Sequence, residues 1–135
     1  MTTPWDLLTR IWRLQRRMVQ EALPCLEAAG LSPKAFFLLA AIQDTPCPSG
    51  LSRNLKLPPP TVSHFLKRLE AEGYVERTPD PEDLRRYRLH LTPKGHEALQ
   101  AGRACLERAL ARRMKGVSPE DLENLERILT QLEEA

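Results

Sequence analysis

The chain has 135 residues, 28% of them charged, with a formal net charge of +2 and no apolar run of membrane-spanning length. These values exclude a disordered tail and a strongly basic arm, and they fit one compact domain or one protomer of an intertwined oligomer. Any nucleic-acid surface must therefore come from local clustering of charge.

Cys25, Cys47 and Cys105 are widely spaced and odd in number, which argues against a disulfide scaffold and for a reducing compartment. The start, Met1-Thr-Thr-Pro-Trp-Asp6, has no signal-peptide character, so a cytoplasmic protein is expected.

Thr3-Pro4, Ser32-Pro33, Thr92-Pro93 and Ser118-Pro119 share one device for starting a helix. The hydroxyl accepts an orphan N–H at the N-cap, and proline fills the first helical position, where its missing N–H costs nothing. Asp6 and Asp121 add a carboxylate three residues after their caps. The first helix is expected from about Pro4 to Leu23. Its apolar residues, including Trp5, Leu8, Ile11, Trp12, Met18 and Val19, are too widely spread for one stripe and imply burial on more than one side. The second, from about Pro33 to Gln43, is unbroken apolar sequence from Ala35 to Ile42 and reads as the central core helix. Asp44 to Gly50, with two prolines, reads as a loop.

Leu51 to Leu57 predicts a short helix, and three prolines, Pro58 to Pro60, follow it. From Thr61 to Gly73, Val62, Phe65, Leu66 and Leu69 recur at helical spacing as a buried stripe. The opposite face carries Thr61, Ser63, His64, Lys67 and Arg68. Small hydroxyls near a helix start with cations further on suit a helix whose first turns enter the major groove of DNA. After Gly73 the period becomes two. Tyr74–Thr78 and Tyr87–Leu91 alternate around a charged, turn-rich segment, which predicts a β-hairpin with a long tip. Helices from Pro93 to about Lys115 and from Pro119 to about Glu134 end the chain. The last carries a leucine face of Leu122, Leu125, Ile128, Leu129 and Leu132.

Leu51-Ser52, Leu55, Thr61-Val62-Ser63, Leu69-Glu70, Gly73-Tyr74-Val75, Asp80-Pro-Glu-Asp83, Arg85 and Leu91-Thr92-Pro-Lys-Gly95 together resemble the multiple-antibiotic-resistance regulator (MarR) family of winged helix-turn-helix transcription factors. The most specific part is Asp83-x-Arg85 followed by Leu91-Thr92-x-x-Gly95, which is similar to that family's wing. The resemblance implies a mainly α (α+β) fold in a single domain over residues 1–135. Residues 31–92 would form the winged helix-turn-helix lobe, and 1–30 with 93–135 the dimerisation helices. There are three departures. Lys56 stands where glycine is common, Pro58–Pro60 replace a polar cap and remove backbone donors for a phosphate, and Leu84 occupies a wing position where arginine is common.

On this reading Thr61, Ser63, His64 and Lys67 contact base edges or phosphates, and Arg68 holds the backbone. Asp83 holds Arg85 by a charge-assisted pair, and Arg85 and Arg86 reach the minor groove or its phosphates, with Arg88 on the same side as Arg86. The expected function is a homodimeric, effector-responsive regulator, a repressor, acting on double-stranded DNA at a near-palindromic operator. A small aromatic effector is expected near Trp12, Met18, Phe36 and Phe37, although core packing explains those side chains equally well. Other readings are a redox sensor using Cys25, a winged-helix module that binds protein rather than DNA, and a monomer whose terminal helices pack on each other. His64, His90 and His96 with the cysteines lack zinc-ligand spacing, and no P-loop, dinucleotide or nucleophile motif occurs, so neither a metal, a cofactor nor an enzyme is expected.

Overall fold

Each hydroxyl–proline pair starts a helix as its chemistry requires. Thr3 accepts the Asp6 N–H at 3.1 Å, and the Asp6 carboxylate accepts the Thr3 N–H at 3.0 Å, a reciprocal cap. The Thr3 backbone N–H, then its side chain, holds the Asp6 carboxyl below the usual carboxylate range. Ser32 accepts the Ala35 N–H at 3.1 Å, Thr92 the Gly95 N–H at 3.0 Å, and Ser118 the Asp121 N–H at 3.1 Å.

The computed structural model describes all 135 residues. In chain order they form α1 (Pro4–Ala28), α2 (Pro33–Asp44), α3 (Pro48–Leu55), α4 (Pro59–Ala71), β1 (Val75–Pro79), β2 (Tyr87–Leu91), α5 (Pro93–Met114) and α6 (Pro119–Glu134). The fold is mainly helical, with one two-stranded antiparallel sheet in which Arg77 faces Leu89 and Pro79 faces Tyr87.

Proline accounts for the main departures from the expected boundaries. α1 runs through Pro24 to Ala28, five residues beyond its expected end. An interior proline forfeits one helical hydrogen bond, at a cost of roughly 3 kcal/mol. Burial of Ala22 and Leu26 on either side of Pro24 offsets that loss. α3 begins at Pro48 rather than Leu51, because Pro48 is another proline at a first helical position, here without a hydroxyl before it. Its end matches the sequence departure noted above, since Lys56 caps it in the left-handed region at φ 52°.

The chain divides into two compact units, one of Leu23–Ala104 and one of Met1–Ala22 with Cys105–Ala135. In the first, α2 supplies the fully buried Leu39 and Ile42, and Leu51, Val62, Leu66, Leu69, Val75 and Leu89 complete the core. Phe37 breaks the apolar run of α2 by lying exposed, because eight consecutive apolar residues on a helix must place some of them outward. The peptide N–H of Leu89 donates to the Pro46 carbonyl at 2.7 Å, which fastens the segment before α3 to β2.

In the second unit Trp5 and Trp12 meet edge to face at 6.0 Å, and Glu21 pairs with Arg112 at 2.7 Å and with Arg113. α6 has no buried residue, and Leu125, Ile128, Leu129 and Leu132 are all exposed. The expected burial of α1 on several sides does not occur within the chain, because Trp5, Leu8, Ile11 and Trp12 face outward too.

The cysteines depart from expectation. Cys25 and Cys105 are each disulfide-bonded, and only Cys47 is free. An odd count requires only that one thiol be left over, and sequence spacing does not say which. Cys25 therefore carries no free thiol in this structure, and the disulfide runs against the reducing compartment that the cysteine count suggested.

Gly95 seats the start of α5 on the sheet. A Cβ built there would overlap the Tyr74 backbone carbonyl, which is itself held by the Thr92 N–H at 3.0 Å. Gly95→Ala is expected to destabilise the fold by about 2 kcal/mol or more, read as a lower urea midpoint at unchanged slope.

Candidate nucleic-acid interface

α4 presents its polar residues in two groups. Val62, Leu66 and Leu69 are buried, and His64, Lys67 and Arg68 form the exposed crest opposite them. Thr61 and Ser63 are half-buried on the two flanks. Ser63 lines a cavity of about 300 Å³ with Pro48, Arg77 and Tyr87. Thr61 lines another, of about 410 Å³, with Lys34, Phe37, Leu55 and Phe65. Of the five residues expected on this face, three are thus exposed and two half-buried. Phe65 is also only half-buried, and its ring lies 5.9 Å from the Lys34 ammonium.

The first turn of α4 offers no backbone donor to a phosphate. Pro59 and Pro60 carry no N–H, and the N–H groups of Thr61 and Val62 both return to the Pro58 carbonyl, at 3.0 and 3.2 Å. Any phosphate contact from this turn would have to come from side chains.

The wing is braced from within. The Asp80 N–H donates to the Arg86 carbonyl at 3.0 Å and the Arg86 N–H to the Asp83 carbonyl at 2.9 Å. Carboxylates of Asp80 and Asp83 accept the backbone N–H groups of Glu82 and Arg85 at 2.9 and 3.0 Å. Asp83 therefore acts chiefly on the backbone. Its contacts with the guanidinium groups of Arg85 and Arg86 are long, 3.7 and 3.8 Å. Those two side chains stand 95% and 70% exposed, and Arg88 lies 3.9 Å from Asp80.

Arg77 joins the wing to α4 and escaped the sequence reading. Its guanidinium pairs with Glu70 near the end of α4 and stacks on the Tyr87 ring at 4.5 Å. Glu70 foremost, then Tyr87, raises its pKa above the usual arginine value. Period-two alternation carried the signal, since Arg77 shares a strand face with buried Val75 and lies opposite buried Leu89. A cation on that face needs a partner.

Cys47 also lies near the wing, in a cavity of about 220 Å³ with Arg85, Arg86 and Tyr87. The Ser49 hydroxyl, 3.0 Å from its sulfur, holds the thiol below its usual pKa, helped by the Gly50 N–H and Arg86. Of the side chains expected around an effector, Trp12 is exposed and Met18 half-buried on α1, Phe36 is buried, and Phe37 opens onto the 410 Å³ cavity.

The model of the MarR family matches residues 31–87, from just before α2 to the first residue of β2. A solved transcriptional regulator, Tm0710 from Thermotoga maritima, is 32% identical over 95% of this chain and 92% of its own, with a TM-score of 0.67.

The chain belongs to the MarR family.

A curated relative, the uncharacterized HTH-type transcriptional regulator YkoM of Bacillus subtilis (strain 168), is 34% identical over 64 residues. That match spans 47% of this chain and 42% of the length of YkoM. Among solved structures, the transcriptional repressor CouR, bound to a 23-mer DNA duplex, shares the fold with a TM-score of 0.75 at 24% identity, over 96% of this chain and 92% of its own. No single helix of the MarR-family chain is long and apolar enough to cross a membrane.

Proposed function

We propose that this MarR-family transcriptional regulator binds double-stranded DNA in the cytoplasm as a homodimeric repressor. α4 enters a major groove with His64, Lys67 and Arg68 foremost and Ser63 and Thr61 at its edges, and the wing sends Arg85 and Arg86 to the phosphates that border the adjoining minor groove. The observation that carries this reading is the pairing of an exposed cationic helix crest with an exposed arginine pair on a braced hairpin, the two joined by the Glu70–Arg77 ion pair. Cations on a helix and on a hairpin tied to it suit two successive grooves and their phosphates. CouR, which shares the fold, was solved on a duplex.

A two-fold dimer requires a near-palindromic operator with half-sites roughly 34 Å apart, one helical turn. A small effector with an apolar body enters beside Phe37 and shifts the balance between DNA-bound and free forms.

A gel shift on the chain's own upstream DNA, with unlabelled competitor, tests the reading. The expected result is specific retardation that weakens steeply with salt. Equal competition by unrelated DNA, or no retardation at low salt, would favour a module that binds protein instead.

A further inference from the structure

One residue of the wing has no place in an electrostatic account of binding. Leu84 sits at the apex between Asp83 and Arg85 and is 83% exposed. A lone exposed leucine on a flat surface needs no explanation. This one is held out by a tip whose backbone is pinned at Asp80, Glu82, Arg85 and Arg86. Its two C-terminal neighbours are the exposed arginines. A leucine can neither pair with a phosphate nor release a counterion, so its presence at the apex calls for an apolar contact.

Resting on the DNA-binding reading above, we infer that Leu84 is a specificity residue that wedges into the minor groove against sugar edges and a deformable base step. Arg85 and Arg86 hold the flanking phosphates and bring the leucine to the groove floor. Apolar side chains inserted this way partly unstack a step, and pyrimidine–purine steps yield most readily. The operator is therefore read at the wing through its deformability, without hydrogen bonds to bases.

The test uses the full chain and a duplex that the native protein selects from random-sequence DNA. That duplex is compared with one in which the step beneath the wing is changed from TA to AA. The native protein prefers the TA duplex and bends it, as seen by the mobility of circularly permuted fragments. Leu84→Ala lowers affinity for the TA duplex about tenfold, abolishes the preference and reduces the bend. It leaves the salt slope unchanged, since no cation is lost. Leu84→Met, similar in volume, keeps the preference. Because the side chain is exposed, both variants should melt with the native protein.

An alanine variant that still discriminated TA from AA as the native protein does would overturn the wedge while leaving DNA binding intact. A native protein that selected no duplex would overturn both, so the two failures are distinguishable.

Discussion

Replacing Ile128 and Leu129 together by aspartate should give a folded monomer that has lost operator binding by more than about a hundredfold. α6 buries none of its residues within the chain, and Leu125, Ile128, Leu129 and Leu132 are exposed along one side of it. The same unit exposes Trp5, Leu8, Ile11 and Trp12 on α1. Apolar surface on this scale marks an interface in a water-soluble protein. A second copy of the chain suits it, because a two-fold interface is self-complementary.

Carboxylates on that face would be desolvated without partners in a dimer, but in a monomer they stay in water and cost little. In the proposed dimer each protomer would hold one half-site. Losing the partner therefore removes the high effective concentration of the second head, hence the expected size of the loss. Sedimentation and gel shift read the two effects together. A variant that remained dimeric and bound DNA normally would remove α6 from the interface.

The second large effect is expected at the wing. Arg85→Ala combined with Arg86→Ala should weaken operator binding roughly 10- to 100-fold near physiological salt and reduce the salt slope by about 2. Folding stability should hardly change. Both guanidinium groups are largely exposed, and their contacts with Asp83 lie at 3.7 and 3.8 Å, so as ion pairs they contribute little. Lys67→Ala on the α4 crest, by comparison, should lower the slope by only about 1 if its ammonium meets one phosphate. Titrations at several salt concentrations separate the cases, and an unchanged slope in the double variant would show that the wing arginines do not meet phosphates.

What the sequence revealed, and what it hid, follows from the range of each interaction. Local rules carried far: Thr3, Ser32, Thr92 and Ser118 each cap the helix they were expected to start, since a cap depends on three or four neighbouring residues. The α4 stripe and the two strands were legible from periodicity for the same reason. Proline misled where its local cost was met elsewhere, as at Pro24 inside α1, flanked by buried Ala22 and Leu26.

Long-range chemistry was not legible. The partner of Arg77 lies on another element, the hydrogen bond from Leu89 reaches Pro46 across 43 positions, and cysteine spacing did not disclose which thiol is free. At the interface itself the residue types were readable, but their order of exposure was not. Thr61 and Ser63 fall on the flanks of α4 because three buried residues set the angle of its crest.

The most direct measurement is a pair of footprints on one operator, methylation protection for the major groove and hydroxyl-radical cleavage for the minor groove. Simultaneous engagement of α4 and the wing by two protomers requires protected guanines flanked by protected minor-groove sugars. The whole pattern should repeat about one turn away with two-fold symmetry. Protection confined to one groove, or a single unrepeated patch, would contradict the account.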